Sequence, residues 1–192
     1  MVLVAQAALI EGAIAGKVVS FPTDTVPALA VRPPQSDLIF TLKQRSPDKP
    51  LILMGATFEQ ISPYIQGTTE EINLWRQIAQ KYWPGALTLV LPASERVPRQ
   101  MNPRDPTTLG VRVPDCAIAC DILRETGPLA TTSANRSGEP PLESLAAIAT
   151  AFPPVLALET TKPPQASGLP STVVKWTQRG WEVLRQGSVV LE

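Results

Sequence analysis

The sequence predicts one α/β domain over residues 1–192, with helices flanking a mixed, twisted open sheet. Apolar runs of strand length alternate along the chain with longer helical patterns, which is typical of this fold class. Several strand-like runs follow one another without a helix between them. Because parallel neighbours need a long crossover, such runs favour a mixed sheet over a purely parallel one.

The first elements are predicted to be a helix, a strand, a polar turn and a second strand. Residues 5–15 are rich in Ala, Leu and Ile, and Gly16 is expected to end their helix. Apolar runs at 17–21 and 28–31 indicate strands. Between them, Thr23-Asp24-Thr25 stands where a strand stops. These side chains can line a pocket, or they can only form an Asx or ST turn with their own backbone.

A short helix is predicted next, with Ser36 as its N-cap and Pro47 preventing its continuation. Lys43 and Arg45 are then expected in the last turn of this helix. An apolar strand follows at 51–54.

Three cations therefore surround the step from this helix to this strand. Lys43 and Arg45 stand two positions apart, and Lys49 precedes the strand. A loop of this kind beside strand ends can clamp a polyanion. Cations in a last helical turn are also favoured because they complement the helix dipole, so this segment alone leaves both interpretations open.

The middle of the chain is predicted to hold two helices. Residues 57–64 form a short one, and Thr68 with Glu71 forms a capping box that opens a longer one. Trp75 lies on the apolar stripe of the longer helix and is expected in the core.

Two strands with a long polar loop between them are predicted at 86–91 and 108–113. The loop at 92–106 is the best candidate for a mobile flap. Arg112 lies inside an otherwise apolar strand, where a guanidinium is costly unless it meets an anion.

Asp115 is predicted to cap a helix that carries both cysteines and ends at Gly127. The spacing of Cys116 and Cys120 gives neither a disulfide framework nor a zinc quartet, so both are expected to be buried core thiols.

A further strand is expected to run from Pro128 into Thr131-Thr-Ser-Ala-Asn135, where hydroxyls and an amide suit a phosphate or a ribose. This segment matches no general nucleotide-binding fingerprint. The chain then continues with a helix at 143–152, a strand at 155–158, a turn leading into a strand at 168–174, and a strand at 181–187.

Composition narrows the chemistry. The chain has 17 basic and 17 acidic residues, so it has no overall positive field that would attract nucleic acid. It has no histidine, which excludes the commonest general base and the Ser-His-Asp and Cys-His mechanisms. Any catalysis is expected to come from positioning, electrostatics or carboxylates. We expect a cytosolic protein without a membrane partner, because apolar runs are too short for a membrane span and no charged leader is present.

Seven segments together resemble the YrdC-type threonylcarbamoyl-AMP synthase family. They occur in the family's order along nearly the whole chain, and the pairing of Lys-x-Arg with a distant Ser-x-Asn is the most specific of them. The segments are Ser20–Val26, Lys43-Gln-Arg45 with Lys49-Pro-Leu51, Trp83-Pro-Gly85, Gly110–Pro114, Thr132-Ser-Ala-Asn135, Ser171–Val174 and Leu184-Arg-Gln-Gly187.

The resemblance implies a twisted sheet around a positively charged concave cavity. It also implies a reaction in which L-threonine, bicarbonate or carbon dioxide, and ATP give threonylcarbamoyl-AMP and pyrophosphate, with Mg²⁺ accompanying ATP. The product would serve tRNA threonylcarbamoyladenosine modification, carried out with tRNA-modification proteins. A monomer and a homodimer are both compatible with the sequence.

The family's functional residues transfer to this chain position by position. The resemblance implies catalytic roles for Lys43 and Arg45. It assigns ATP binding to Arg45, Lys49, Thr108, Ser133, Asn135, Pro141 and Arg185. It assigns threonine binding to Thr25, Arg112, Thr131 and Ser171. The ligands of the metal are left open.

The chain departs from the family at Pro27-Ala28, where many members have an aromatic residue and a glycine, and at Met54, where many have a histidine. The first departure can narrow the amino-acid pocket because it lies beside Thr25. Two other functions fit the same features: a catalytically weak paralogue that binds tRNA or double-stranded RNA, and a carbamoyl-adenylate enzyme related to hydrogenase-maturation proteins.

Overall fold

The computed structural model describes residues 2–46, 48–160 and 166–192. The strands are β1 (Leu3–Val4), β2 (Val19–Phe21), β3 (Ala28–Val31), β4 (Ile52–Met54), β5 (Leu87–Pro92), β6 (Thr108–Arg112), β7 (Leu129–Ser133), β8 (Leu156–Leu158), β9 (Thr172–Thr177) and β10 (Gly180–Arg185). The α-helices are α1 (Gln6–Ile14), α2 (Asp37–Lys43), α3 (Phe58–Ile61), α4 (Thr69–Tyr82), α5 (Ala117–Thr126) and α6 (Leu145–Ala151).

All of these strands belong to one sheet, in the order β1-β8-β2-β3-β7-β4-β6-β5-β9-β10. The pairs β1/β8, β2/β8, β4/β6 and β5/β9 are parallel. The pairs β2/β3, β3/β7, β4/β7, β5/β6 and β9/β10 are antiparallel. The predicted α/β class with a mixed sheet is therefore confirmed.

Alternate residues of the central strands form the core. Leu53, Leu89, Val111 and Ala130 are completely buried. Because side chains alternate between the two faces of a strand, their neighbours in sequence point to the opposite face of the sheet. That opposite face carries the site described below.

The structure confirms the predicted end of α1 and the predicted start of α4. Gly16 follows α1 with φ of 80°, a conformation that glycine adopts without strain. Thr68 and Glu71 form both hydrogen bonds of the capping box at the start of α4. Trp75 is fully buried and packs edge-on against Trp176, with ring centroids 6.2 Å apart.

The end of α2 differs from the prediction. The helix ends at Lys43, and Gln44 adopts a left-handed conformation with φ of 51° that turns the chain away. Arg45 therefore lies outside the helix, and its placement in the last turn was wrong. Ser36 occupies the N-cap position without a side-chain cap, and its hydroxyl instead donates to the carbonyl of Pro33. The predicted helix-stopping residue, Pro47, lies outside the described residues.

The start of α5 also differs. The N-cap is Cys116, not Asp115, so only Cys120 lies within the helix. Both thiols are buried, as predicted. The Cys116 Sγ–H is directed at the carbonyl of Pro22, 3.4 Å away, in the turn that follows β2.

Strand β1 was not predicted, because two residues are too short to show a period. It is held by parallel pairing of Leu3 with Ala157 in β8. The loop proposed as a mobile flap contains a 3-10 turn at Arg99–Met101, whose Met101 is fully buried. Of the helices that the structure describes, none is long and apolar enough to cross a bilayer.

Candidate active site

A cavity of about 800 Å³ opens on the face of the sheet opposite the core. Its volume lies within the range typical of small-molecule sites. The floor consists of every second residue of five strands: Ile52 and Met54 of β4, Thr88 and Val90 of β5, Thr108, Gly110 and Arg112 of β6, Thr131 and Ser133 of β7, and Val173 and Lys175 of β9. A Cβ at Gly110 would lie 3.5 Å from Thr88 and 3.7 Å from Ile52, so glycine leaves this part of the floor open.

Lys43 reaches into the cavity from the end of α2. Its side chain is almost completely buried, and Nζ donates to the carbonyl of Ser133 and, over 3.0 Å, to Oδ1 of Asn135. Burial, and then the nearby charges of Arg45 and Lys49, lower the pKa of Lys43 to about 7. The ammonium is thus directed at strand β7 rather than at the carbonyls of its own helix, so dipole capping does not account for its position.

Arg45 organises the basic loop that follows. Its Nε donates to the carbonyl of Lys49 over 2.7 Å, and its Nη2 donates to the carbonyl of Pro50 over 2.9 Å. Burial lowers the pKa of Arg45 to about 10. The side chain of Lys49 is exposed at the cavity rim.

The turn after β2 both forms an ST turn and lines the cavity, the two alternatives that the sequence left open. The hydroxyl of Thr23 accepts from the backbone N–H of Thr25 over 3.2 Å and donates to the carbonyl of Val26 over 2.7 Å, as in an ST turn. Thr23 and Thr25 are also buried and line the cavity.

Arg112 meets an anion of its own chain at the end of β6. Its Nη2 lies 2.7 Å from Oδ1 of Asp24, its Nη1 donates to Oγ1 of Thr25 over 3.0 Å, and its Nε donates to the carbonyl of Gly85 over 3.0 Å. Burial lowers the pKa of Arg112, and the charge and hydrogen bond of Asp24 oppose this effect. The expectation that a guanidinium in this strand needs an anion is fulfilled by Asp24.

Ser171 connects strand β5 to the C-terminal arginine. Its hydroxyl lies 2.8 Å from the hydroxyl of Thr88, and the Nη2 of Arg185 donates to both its carbonyl, over 2.8 Å, and its Oγ, over 3.3 Å. Burial and then the positive charge of Arg112 lower the pKa of Arg185. The two arginines therefore lie close enough to repel each other at the cavity wall.

Ser133 and Asn135 form the opposite wall. The hydroxyl of Ser133 donates to Oδ1 of Asn135 over 2.7 Å, so the same oxygen receives bonds from Ser133 and Lys43. The hydroxyl of Thr131 donates to the carbonyl of Ile52 over 3.1 Å.

Thr108 stands at the start of β6 in a polar cluster. Its hydroxyl donates to Oδ2 of Asp105 over 3.1 Å and accepts from the amide of Asn102 over 3.1 Å. The hydrogen bond from Thr107 is the main cause that lowers the pKa of Asp105; burial opposes it, and the hydrogen bond from Thr108 adds to the lowering.

The structure brings every predicted site residue to this one cavity. Those residues are Thr25, Lys43, Arg45, Lys49, Thr108, Arg112, Thr131, Ser133, Asn135, Pro141, Ser171 and Arg185. The sequence interpretation missed Asp24 as the partner of Arg112, together with Thr88, Asn102 and Lys175 of the lining. Period-2 alternation along β5 and β9 could have indicated Thr88 and Lys175.

Residues 13–187 match the model of the Sua5, YciO and YrdC family, described as "Telomere recombination". The chain belongs to this family. The resemblance inferred from the short motifs is thereby confirmed over most of the sequence.

Two relatives show how far the likeness extends. The chain is 36% identical over 181 residues to the threonylcarbamoyl-AMP synthase of Pyrococcus abyssi (strain GE5 / Orsay), covering 92% of this chain and 52% of that protein. It is 36% identical over 147 residues to the threonylcarbamoyl-AMP synthase of Escherichia coli (strain K12), covering 72% and 76%. The chain thus spans about half the length of the archaeal relative.

Solved structures share the fold. P. abyssi Sua5 complexed with L-threonine superposes with a TM-score of 0.83 at 33% identity, covering 95% of this chain and 53% of that one. E. coli YciO superposes with a TM-score of 0.79 at 23% identity, covering 95% and 90%, which supports the fold alone.

Proposed function

We propose that this protein is a threonylcarbamoyl-AMP synthase that uses L-threonine, bicarbonate or carbon dioxide, and ATP. The observation that carries the proposal is the meeting of two residue groups in one cavity. Lys43, Arg45, Lys49 and Arg185 supply cations suited to a triphosphate, while Thr25, Arg112, Thr131 and Ser171 supply hydroxyls and a guanidinium suited to a small hydroxy amino acid.

The electrostatics support binding of an anion. Lys43 is buried beside the positive charges of Arg45 and Lys49, and Arg185, which is exposed, lies beside that of Arg112. The hydrogen bonds that Lys43, Arg45 and Arg185 make within the protein go to neutral acceptors: backbone carbonyls, a hydroxyl and one amide oxygen. Arg112, in contrast, is paired with the carboxylate of Asp24. Clustered cations of this kind gain most from a ligand that carries several negative charges.

The proposed chemistry needs no covalent attack by the protein. The amine of threonine adds to carbon dioxide and loses a proton, which gives a carbamate. An oxygen of the carbamate then bonds to the α-phosphorus of ATP, the bond from that phosphorus to the bridging oxygen breaks, and pyrophosphate leaves. A site without histidine can promote this transfer by alignment and by neutralising phosphate charge.

Lys43, Arg45, Lys49 and Arg185 would hold the phosphates, and Asn135 would fix the amine of Lys43 over its 3.0 Å hydrogen bond. The two N–H groups of Arg112 not engaged by Asp24, Thr25 or Gly85 would receive the threonine carboxylate. The hydroxyls of Thr25, Thr131 and Ser171 would contact the amino acid.

Mg²⁺ is proposed to enter with ATP, where it would neutralise phosphate charge. Two carboxylates of the described residues, Asp48 and Glu139, line the cavity. Their oxygens fit the ion, since Mg²⁺ usually takes one or two carboxylates together with substrate phosphates. Asp48 is engaged with Arg104, over 2.5 Å, and with Ser46, over 2.9 Å.

The product is proposed to serve tRNA modification by partner proteins. The alternative of an RNA-binding paralogue is not favoured, because the relatives above are named as synthases and the formal net charge is zero.

Incubation with ATP, Mg²⁺, bicarbonate and one amino acid at a time tests the proposal, with pyrophosphate and the adenylate product measured. Threonine-dependent release of pyrophosphate with formation of threonylcarbamoyl-AMP is expected. Binding of tRNA without any such product would instead support the paralogue.

A further inference from the structure

The guanidinium of Arg112 is fixed by three groups from two distant segments. Asp24 Oδ1 and Thr25 Oγ1 come from the turn after β2, and the carbonyl of Gly85 comes from the turn before β5. Only 4% of the Arg112 side chain and 15% of the Asp24 side chain are exposed. A hydrogen-bonded ion pair this far from water is oriented much more strictly than one at the surface.

The pattern of these bonds leaves a defined part of Arg112 for a ligand. An arginine side chain has five N–H groups, and here Nε, Nη1 and Nη2 each use one. One N–H remains on each terminal nitrogen, and Arg112 lines the cavity. A guanidinium with an N–H available on each terminal nitrogen can pair with a carboxylate.

Asp24 is itself held in place by its backbone surroundings. Its carbonyl accepts from the N–H of Ser167 over 2.9 Å, and the carbonyl of Thr25 accepts from the N–H of Gly168 over 3.0 Å. The hydroxyl of Thr23 closes the turn on the other side. The carboxylate that pairs with Arg112 therefore belongs to a turn that is held by hydrogen bonds on both sides.

Asp24 is also the negative charge that Arg112 contacts directly, with 2.7 Å between Nη2 and Oδ1. Its charge and its hydrogen bond favour the charged guanidinium against the effect of burial, which lowers the pKa of Arg112. The second guanidinium nearby, that of Arg185, supplies no such compensation, because Arg112 itself lowers the pKa of Arg185 after the larger effect of burial.

We propose that Asp24 is a positioning residue: by pairing with Arg112 it holds the guanidinium in the orientation that receives the carboxylate of the amino-acid substrate. This inference rests on the proposed function for the identity of that substrate. It makes two predictions: that Asp24 holds the guanidinium of Arg112 in one orientation in the free protein, and that this orientation raises the affinity for threonine.

Kinetics of Asp24→Asn test the affinity. The variant keeps the size of the side chain and removes its charge. The KM for threonine is expected to rise at least about tenfold, because the hydrogen bond from Arg112 loses its negatively charged acceptor, while the KM for ATP changes less than about twofold. Asp24→Glu, which retains the charge, is expected to recover part of the loss. Asp121→Asn, which removes the partner of Arg124 on the surface of α5, is the matched control and should change neither constant.

A double variant separates positioning from general damage. If Asp24 acts through Arg112, Asp24→Asn should add little to the threonine defect of Arg112→Lys. Fully additive losses, equal rises in the two KM values, or an unchanged threonine KM in Asp24→Asn would each overturn the inference.

The side-chain N–H signal of Arg112 in ¹⁵N-labelled protein gives a readout that needs no activity. We expect sharp, slowly exchanging Nη–H signals in the wild type and in Asp121→Asn, and broadened or rapidly exchanging ones in Asp24→Asn, because Asp24 accepts from Nη2. If the wild type makes no threonylcarbamoyl-AMP, the proposed function fails and these signals alone decide the positioning role. Nη–H groups that are equally protected in Asp24→Asn refute that role.

Discussion

The amine of Lys43 donates a hydrogen bond to the side-chain oxygen of Asn135 over 3.0 Å, although the two residues are 92 positions apart. This bond joins the Lys-x-Arg segment to the Ser-x-Asn segment on one wall of the cavity. A neutral amine has two N–H groups, and the carbonyl of Ser133 and Oδ1 of Asn135 accept them. The neutral form of Lys43 is therefore fully accommodated before any anion binds.

ATP binding is predicted to weaken as the pH rises above about 7. The pKa of Lys43 in the free protein is about 7, and bound phosphates favour the ammonium, so binding must take up a proton above that pH. By linkage, the affinity should fall by at most about tenfold per pH unit until the pKa of the bound state is reached.

Calorimetric titration of ATP in buffers of different ionisation enthalpy measures this proton uptake. Lys43→Met, which cannot titrate, is the control and should bind ATP weakly with little pH dependence. Proton uptake of the same size in wild type and variant would show that Lys43 is not the group that responds.

Lys49→Ala is predicted to weaken ATP binding about tenfold without loss of stability. The side chain is exposed, and only its backbone carbonyl takes part in the bond from Arg45. Surface substitutions of this kind change the free energy of unfolding by no more than about 0.5 kcal/mol, whereas a charge-assisted bond to a phosphate contributes more. Thermal unfolding and ATP titration, with Lys81→Ala as a matched exposed cation, make the comparison.

Arg45→Ala should behave differently, because Arg45 also ties the loop together through the carbonyls of Lys49 and Pro50. We expect a loss of ATP affinity together with a modest fall in Tm. If Lys49→Ala lowers Tm well below that of Lys81→Ala and the loss of ATP affinity follows this loss of stability, Lys49 has a structural role instead.

Much of this site could be predicted from sequence, because the family motifs point to its residues and its floor follows strand periodicity. Thr131 and Ser133 lie on one face of β7, and Thr108 and Arg112 lie on one face of β6; the family resemblance assigns all four to the site. Asp24 was noticed only as part of a turn. Its pairing with Arg112 depends on how β2 and β6 are brought together in the sheet, and no local pattern encodes that distance.

The boundaries at Arg45 and Cys116 were wrong for a related reason. Capping propensity indicated Asp115, but the thiol of Cys116 lies against the carbonyl of Pro22 in another element. Gln44 ends α2 in a left-handed conformation, for which glycine or asparagine is the usual signal. At Cys116 a contact with a distant segment outweighs local preference, and at Gln44 the usual sequence signal for a helix end is missing.

Arg112→Lys is predicted to impair the use of threonine at least about tenfold more than the use of ATP. An ammonium cannot reach Asp24, Thr25 and Gly85 together and still present a planar fork to a carboxylate. Arg185→Lys serves as the comparison, with the larger effect expected on ATP. Steady-state constants for both substrates measure the two effects, and an unchanged threonine KM in Arg112→Lys would remove this residue from the amino-acid site.

Threonine is predicted to outrank valine by at least about a hundredfold despite the departure at Pro27-Ala28. Ala28 is a regular β3 residue paired with Ser133, and the carbonyl of Pro27 accepts from the N–H of Ala134 over 3.0 Å. Pro27 and Ala28 therefore keep regular backbone pairing with the segment that carries Ser133. The hydroxyls of Thr25, Thr131 and Ser171 remain, and a site built for a hydroxyl rejects an isostere that lacks it.

Pyrophosphate release with threonine, serine and valine tests this selectivity in the wild type and in Pro27→Tyr/Ala28→Gly. Similar rates with threonine and valine would contradict the prediction. Threonine activity that appears only in the double variant would mean that the natural pocket has lost this substrate.

The most direct test of the whole account is the fate of the carbon of ¹³C-bicarbonate in a reaction with ATP, Mg²⁺ and L-threonine. The account predicts threonylcarbamoyl-AMP that carries the label, formed in equal amount with pyrophosphate and absent when threonine is omitted. A product without the label, such as threonyl-AMP, or the absence of pyrophosphate from folded, ATP-binding protein, would contradict it.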